Sequence, residues 1–473
     1  MNNKRDNART NKSDVTRRQA LSLAAGAALA GVSPMALPGL AEALARPRQK
    51  RPNIVFILGD NHRFDTMGCA GHPFIKTPGM DRLAREGVRF RNAFSTQSLC
   101  SPSRASILTG VYSHKHGVVN NHTGWDGRAP IFLEHLHRGG YATAFVGKWH
   151  MPGAGLPSLP FLDLFVSYTY REGQGSYFDC PLVVNGKETP SRKSNISEEV
   201  TDRALDFMKE RHSSGDGRPF CLYLAHRPAH PPFQSLKKIA GMYKDADVKA
   251  VLPKTADPWW FGKTNQNVFQ GIMMGSYYDQ YRKYCETITT MDREIERVLD
   301  FIDKSGLRDD TVVIYMGDNG MSWGEHGHHG IREPYEEVVR LPWVMRAPGL
   351  IPDPGSVREQ MALELDIAPT LLDLAGLPAP KDMDGRSLVP ALRSVKAPGR
   401  KAFMIQFKRY YPENTPSYTA VRTERYKYVE FQKGRSPWLF DLKDDPREER
   451  NLHGTPEGEK RAAELKALLA KME

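Results

Sequence analysis

Four short runs of consecutive apolar residues recur along the chain. They cover residues 53–58, 141–146, 220–225 and 311–316. An unbroken apolar run of this length is typical of a strand that is buried on both faces of a sheet. Amphipathic helical patterns lie between the runs, such as 81–86, which ends at Gly87, and 291–304, which ends before Gly306. This alternation predicts an α/β domain built around a large, mostly parallel central sheet flanked by helices.

Polar residues follow each of the four runs. In open sheets of this type, ligands bind beyond the carboxyl ends of the strands, so we expect the functional site there. The residues in question are Asp60, Asn61, Lys148, His150, His226, His230, Asp318 and Asn319.

The pattern changes after Gly385. Short β-like pieces at 402–407, 426–431 and 438–441 are followed by a charged helix from about Glu457 to Met472. We therefore expect residues 46–390 to form the main domain and residues 391–473 to form a small antiparallel sheet with one helix.

The first 45 residues have the features of an export signal. A charged start with Arg17 and Arg18 precedes a weakly apolar Ala/Leu/Gly-rich segment, and the region ends in the small-x-small sequence 43–45. The paired arginines indicate the twin-arginine route, with cleavage before Arg46. We expect a periplasmic or secreted protein with no membrane span after signal removal; a membrane anchor is the alternative interpretation.

Composition and charge exclude few classes of protein. The chain has 473 residues, of which 40% are hydrophobic and 26% charged, close to the average for globular proteins. The net charge of +11 would raise the local concentration of an anionic substrate, and a solvated surface with an excess of lysine is the alternative interpretation. No nucleic-acid-binding motif is present, so we expect no nucleic acid partner. The five cysteines are an odd number for an exported protein, and their pairing stays open.

The tripeptide Gly-Asp-Asn occurs twice, each time directly after an apolar run. It supplies Asp60 and Asn61 in the first copy and Asp318 and Asn319 in the second. Carboxylate and amide oxygens suit Ca²⁺ and suit zinc poorly. An Asp at the end of a single strand is more often a helix cap or a turn residue, and the duplication favours the metal interpretation.

Histidines crowd the glycine-rich segment 324–330. Their spacing is not that of a helical zinc motif, and the glycines oppose a helix. We expect a loop that places one histidine, His326, near the site.

Cys100 lies just before a predicted helix, with Pro102 near its first turn. Backbone amides at such a position stabilise an anion. A reactive thiolate and an ordinary buried cysteine are both open interpretations.

The segment from Cys100 to Gly110 resembles a family signature. Cys-x-Pro-x-Arg followed by Ala-Ser-Ile-Leu-Thr-Gly is similar to the signature of type I sulfatases in the alkaline-phosphatase-like superfamily, in which the cysteine is oxidised to formylglycine by a maturase. The resemblance continues over most of the chain, at 53–65, 147–150, 229–232, 317–320, 335–337, Pro342 and 439–446. It implies an alkaline-phosphatase-like sandwich fold.

The resemblance also implies roles for individual residues. Asp60, Asp318, Asn319 and the modified Cys100 would bind Ca²⁺. Arg104 and Lys148 would hold the formylglycine, His150 would handle its proton, and His230 would protonate the leaving alcohol. The hydrated aldehyde would attack sulfur and then release sulfate.

Two positions depart from the family pattern. Asn61 stands where many members have a second Asp, and its amide oxygen can still bind Ca²⁺. Ile331 occupies the usual place of a substrate-binding lysine, and the adjacent Arg332 could supply the cation instead, with His326 beside it.

These features predict a hydrolase that acts on the sulfate ester of a carbohydrate or glycosaminoglycan-derived saccharide. Alternatives are a phosphonate monoester or phosphodiester hydrolase of the same superfamily, and a non-catalytic sulfoglycan-binding protein. The sequence leaves open the sugar, the sulfate position, exo or endo action and the oligomeric state.

Overall fold

The four predicted strands lie side by side at the centre of a ten-stranded sheet. The structure is a computed structural model that describes residues 51–151, 155–169, 173–253, 277–410, 415–432 and 434–473, so the predicted export signal lies outside the described residues. In chain order the strands are β1 (Asn53–Gly59), β2 (Val88–Phe90), β3 (Ala93–Phe94), β4 (Ala142–Gly147), β5 (Leu164–Tyr168), β6 (Leu182–Val184), β7 (Lys187–Thr189), β8 (Phe220–Ala225), β9 (Thr311–Gly317), β10 (Ser322–Trp323), β11 (His329–Gly330), β12 (Trp343–Arg346), β13 (Ser356–Arg358), β14 (Ala362–Leu363), β15 (Ala402–Phe407), β16 (Tyr418–Thr423), β17 (Tyr426–Phe431) and β18 (Trp438–Asp441).

The large sheet has the order β13-β2-β12-β9-β1-β8-β4-β5-β6-β7. Its five central strands, β9 to β5, are parallel, and antiparallel pairs flank them. The register aligns Gly59 with Gly317, and Ala225 with both Leu58 and Gly147. The carboxyl ends of β1, β4, β8 and β9 are therefore aligned, and the polar residues that follow these strands meet at the same edge of the sheet.

Helices cover both faces of this sheet. In chain order, the helices of the described residues are α1 (Pro78–Glu86), α2 (Cys100–Thr109), α3 (Ser113–His116), α4 (Phe132–Arg138), α5 (Ile196–Ser213), α6 (Tyr277–Lys304), α7 (Glu336–Val339), α8 (Ile367–Leu374), α9 (Val389–Arg393) and α10 (Pro456–Ala470). Alternate residues of β1 point into two separate apolar clusters. One cluster contains residues of α1, α5 and α6, and the other contains residues of α2, α4 and α8, so the predicted sandwich is confirmed.

The predicted helix 291–304 is the second half of a longer one, α6. Tyr281, Tyr284 and Ile288 are buried and continue the same apolar stripe toward the N-terminus. The predicted helix 81–86 begins earlier, at Pro78, which is a favourable first residue of a helix.

The C-terminal part forms an antiparallel sheet in the order β15-β16-β17-β18, against which α10 packs through Ala462, Leu465 and Leu469. The small sheet and its helix are confirmed, whereas β16 was not predicted. Gln406 at the end of β15 pairs in parallel with Gln97, so this sheet touches the segment that leads to Cys100.

None of the helices in the described ranges is long and apolar enough to cross a membrane. All five cysteines lie in those ranges, and each is a free thiol.

Candidate active site

The centre of the site is formed by the residues that follow β1 and β9. The carboxylates of Asp60 and Asp318 are both fully buried. The backbone amide of Asn61 donates to Asp318 Oδ1 at 3.0 Å, and the amide of Asp318 donates to the carbonyl of Gly59. Asn61 has a left-handed backbone with φ 53°, a conformation that asparagine tolerates better than most residues. The two Gly-Asp-Asn segments therefore lie against each other.

Cys100 is the first residue of α2 and faces both strand ends. Its Sγ lies 3.6 Å from Asp60 Oδ1 and 3.5 Å from Asn61 Oδ1, and the residue is 1% exposed. Burial, followed by the charges of Asp60 and Asp318, raises the pKa of the Cys100 thiol well above its ordinary value. The surroundings favour a neutral thiol, which argues against the reactive-thiolate interpretation.

Two buried cations pair with the two carboxylates. Arg104 donates from Nε to Asp318 Oδ2 at 3.0 Å and from Nη1 to the carbonyl of Lys148 at 3.0 Å. Lys148 donates from Nζ to Asp60 Oδ2, and its side chain is fully buried. Arg104 and Lys148 thus bring α2 and the end of β4 to the same pair of acids.

The two acids titrate differently because their neighbours differ. Burial is the largest single influence and acts to raise the pKa of Asp60, but Lys148, His230 and Arg104 together outweigh it and hold that pKa well below its usual range. Burial and the nearby charge of Asp60 raise the pKa of Asp318 to about 6. At Asp318, the lowering effect of Arg104 and Lys148 therefore does not offset burial and the charge of Asp60.

The donor set fits a hard divalent cation. Ligand atoms of Asp60, Cys100 and Asp318 lie within 4.8 Å of one another. Asn319 Nδ2 donates to Asn61 Oδ1 at 2.8 Å, whereas the buried Asn319 Oδ1 has no hydrogen-bond partner within the described ranges. A buried amide oxygen without a partner is costly unless a ligand meets it. Carboxylate and amide oxygens at this spacing suit Ca²⁺.

Two histidines complete the polar edge, and the charges of Asp60 and Lys148 act on both. Burial lowers the pKa of His150 well below its ordinary value, and burial lowers the pKa of His230 to about 3. His230 Nδ1 lies 2.6 Å from the carbonyl of Pro231, so this nitrogen carries the proton. Its Nε2 lies 2.9 Å from Gln174 Nε2 and accepts that amide proton.

The region that the family pattern assigns to a substrate-binding lysine adjoins Cys100. Ile331 packs in the apolar cluster that contains Leu99 and Cys100. The backbone amide of Arg332 donates to the carbonyl of Ser98 at 3.0 Å, and the carbonyl of Arg332 accepts from Ser98 Oγ at 2.7 Å. Arg332 is thus held two residues from the start of α2.

The ring of His326 packs against a different group of residues, the aromatic side chains of Tyr335 and Trp438. Its ring stacks on Tyr335 with 3.7 Å between centroids and 7° between planes, and Tyr335 stacks on Trp438. Among the described residues, no hydrogen bond joins the His326 ring to the cluster around Cys100. Of the predicted site residues, His326 is therefore the one that the structure does not connect to the cluster directly.

Sequence reasoning missed several supporting residues. Asn121 Oδ1 accepts from the amide of Ser101 at 3.0 Å, Gln174 contacts His230, and Glu325 accepts from Arg63 at 2.7 Å. Asn121 and Gln174 lie in loops and Glu325 begins a single 3-10 turn, where neither hydrophobic period nor motif spacing signals a role.

Comparison with known proteins reveals similarity over most of the chain. The sequence profile of the sulfatase family matches residues 52–377, and a profile for the C-terminal part of N-sulphoglucosamine sulphohydrolase matches residues 324–473. The chain is 30% identical over 487 residues to an N-acetylglucosamine-6-O-sulfatase of Bacteroides thetaiotaomicron, covering 89% of this chain and 86% of that protein.

Two further known proteins are similar to the chain over most of its length. The chain is 30% identical over 491 residues to a multifunctional alkaline phosphatase superfamily protein of Trinickia caryophylli, covering 86% of this chain and 92% of that protein. A solved structure of a protein bound to its substrate, D-glucosamine-2-N,6-O-disulfate, superposes with a TM-score of 0.79 at 28% identity, covering 89% of this chain and 97% of that one.

Proposed function

The chain belongs to the sulfatase family and is a sulfate-ester hydrolase, and on this premise we propose that it acts on a carbohydrate or glycosaminoglycan-derived saccharide through a formylglycine made from Cys100. The observation that carries the proposal is the position of Cys100. Its Sγ lies within 3.6 Å of one carboxylate and one amide oxygen of a buried site that also contains two cations.

Ca²⁺ and the modified residue are the two groups that the proposal adds to the chain. The oxygens of Asp60, Asn61, Asp318 and Asn319, together with residue 100, would hold Ca²⁺. When bound, the ion supplies positive charge beside the transferring sulfate, and the hydrated aldehyde supplies the attacking oxygen.

The chain's own cations then orient the reacting groups. Arg104 and Lys148 are held by the two carboxylates, so their positions are fixed before substrate binds, and preorganised charge of this kind stabilises a transition state effectively. His150 would accept a proton from residue 100. Arg332, beside Ser98, would meet the sulfate in place of the missing lysine.

His230 is proposed as the acid that protonates the leaving alcohol. Gln174 and the carbonyl of Pro231 fix the orientation of its ring. A bound sulfate brings negative charge beside the imidazole, which favours the protonated form that this role needs.

The substrate class rests on the relatives. One relative is an N-acetylglucosamine-6-O-sulfatase, and the similar solved structure holds a disulfated glucosamine. We therefore propose a sulfated amino sugar as the first substrate to test. The multifunctional relative and the amide at Asn61 support phosphonate monoester or phosphodiester hydrolysis as the second candidate.

The proposal also includes the domain boundaries and the cellular location of the protein. Residues 46–390 would form the catalytic domain and residues 391–473 its companion, and the leader 1–45 would direct the protein to the periplasm or outside the cell.

Two measurements test this function. Mass spectrometry of the peptide that contains Cys100, from a host with the maturase, should show formylglycine, and an unmodified thiol in a fully active enzyme would rule the nucleophile out. Turnover should be compared for N-acetylglucosamine 6-sulfate, glucosamine 2-N,6-O-disulfate, an aryl sulfate and an aryl phosphonate monoester. Preference for the phosphonate would transfer the assignment to the second candidate.

A further inference from the structure

An exposed aromatic pair lies on two segments that are each hydrogen-bonded to the chain around Cys100. His122 and Tyr410 stack with 3.9 Å between ring centroids and 24° between planes. Both residues are exposed, and Tyr410 has 44% of its surface open to solvent. None of the reaction steps described above uses either residue.

The loop that carries His122 is attached to the site at two points. Asn121, the preceding residue, accepts from the amide of Ser101, which directly follows Cys100. Trp125 packs edge-on against Trp149, which directly precedes His150, with 6.1 Å between ring centroids. His122 is therefore one residue and one hydrogen bond away from the peptide that follows Cys100.

Tyr410 reaches the same place from the C-terminal sheet. The parallel pairing of Gln406 with Gln97 makes the chain after β15 run in the same direction as the chain that leads into α2. The amide of Gln406 donates to the carbonyl of Thr96 at 2.9 Å, which fixes this alignment. Two segments that are distant in sequence, each attached to the chain around Cys100, thus bring their aromatic rings together.

A sugar ring suits such a surface. The faces of a pyranose ring present C–H groups while its hydroxyls point outward, and flat aromatic side chains bury apolar area with little loss of side-chain entropy. Lys408 and Arg409 are exposed and directly precede Tyr410, so the local charge complements an anionic saccharide.

We propose that the His122–Tyr410 pair, attached to the nucleophile segment through Asn121, binds the sugar ring that carries the sulfate ester. This inference rests on the proposed function and identifies the part of the site that selects a saccharide. The pair supplies binding energy for the sugar, and the buried cations act on the sulfate.

The test measures binding without turnover. Full-length protein with Cys100→Ser serves as the parent, and calorimetry in Ca²⁺ buffer gives the Kd of N-acetylglucosamine 6-sulfate and of inorganic sulfate. In this parent, Tyr410→Leu and His122→Ala should each weaken saccharide binding by roughly three- to tenfold, the range expected for an aromatic contact. Inorganic sulfate, which lacks the sugar, should bind with an unchanged Kd.

Tyr410→Phe is the matched control because it keeps the ring and loses only the hydroxyl, and it should bind the saccharide as the parent does. Unchanged saccharide binding in both ring-removing variants would overturn the proposal, as would no saccharide binding by the parent. Equal weakening of saccharide and sulfate with a lower Tm would show a structural role and also overturn it. Weakened saccharide binding with no hydrolysis by the modified wild type would support this inference and refute the proposed function.

Discussion

Arg104 is the residue at which the electrostatics of the site converge. One guanidinium donates from Nε to Asp318 and from Nη1 to the carbonyl of Lys148, and its Nη2 lies 2.9 Å from Asp318 Oδ2 as an ion pair. A lysine has the charge but not the planar arrangement of donors. We expect Arg104→Lys and Arg104→Ala both to lower kcat/KM by roughly 10²- to 10³-fold, as loss of a preorganised donor does. Steady-state kinetics would refute the geometric argument if Arg104→Lys kept near-normal activity.

Asn61 sets the charge of the proposed Ca²⁺ site. Its Oδ1 faces Cys100 and Asn319, and its buried Nδ2 has no partner among the described residues. Asn61→Asp replaces the unpartnered amide nitrogen with an oxygen, so the site gains a third carboxylate beside Asp60 and Asp318. Aspartate also tolerates the left-handed backbone at this position. We expect roughly tenfold tighter Ca²⁺ binding by chelator competition, because affinity rises with ligand charge.

The metal-free form gives the control for this variant. Without the ion, three buried acids repel one another, so Tm in EDTA should be lower for Asn61→Asp than for the wild type. Weaker Ca²⁺ binding by the variant would show that Asn61 is not a ligand.

At the scale of elements, Glu364 anchors the segment between β3 and α2. Its two carboxylate oxygens each accept from the amide of Thr96 at 2.8 Å, and the side chain is fully buried. Burial raises the pKa of Glu364 to about 8, although the bonds from Thr96 act to lower it.

A carboxyl whose pKa is higher in the folded state stabilises the fold at low pH and loses that contribution as pH rises. The wild-type Tm should therefore fall between about pH 5 and pH 8 partly because of Glu364. Glu364→Gln keeps an acceptor for Thr96 and does not titrate, so its Tm should fall less over the same range. Parallel Tm curves for the two proteins would contradict this assignment.

The elements that could be predicted are those with a local signal. The strands β1, β4, β8 and β9 have six or seven residues, most of them apolar, whereas β2, β12 and β13 have three or four residues and form because of neighbours distant in sequence. The order of strands in the sheet is likewise set by tertiary packing. The residues of a strand indicate that it is buried, but they do not indicate which strands lie next to it.

The residues of the site also differ in whether the sequence predicts them. Asp60, Cys100 and Asp318 follow strands or begin a helix, so motif and position together indicated them, and the structure brings their ligand atoms within 4.8 Å. Asn121 and Gln174 act from loops whose conformation depends on what they touch. His326 was placed by its glycine-rich surroundings alone, and those do not specify that its ring stacks on Tyr335.

At the scale of the whole molecule, a buried ion network joins the C-terminal sheet to α7. Lys427 is fully buried, and its Nζ lies 2.6 Å from Glu448 Oε1 and 3.0 Å from Glu336 Oε1. It also donates to the carbonyl of Pro334 at 2.7 Å. The lysine therefore connects β17 with the segment that begins α7.

Lys427→Met should lower the free energy of unfolding by about 3–5 kcal/mol, because two buried carboxylates lose their shared cation. Lys401→Met is the matched control: Lys401 pairs with Glu424, but both side chains are mostly exposed. Removal of that surface pair should cost under about 1 kcal/mol. Urea denaturation measures both, and similar values for the two variants would refute the distinction.

The burial of Cys100 also fixes an order of events during biosynthesis. A side chain that is 1% exposed at the first turn of a helix cannot enter another enzyme's catalytic cleft while the surrounding strand ends are in place. If Cys100 is the residue that is oxidised, the oxidation has to precede folding, and a chain that folds first is trapped without its nucleophile. The active fraction of a preparation would then be decided during synthesis, and later incubation of folded protein with the maturase would not increase it.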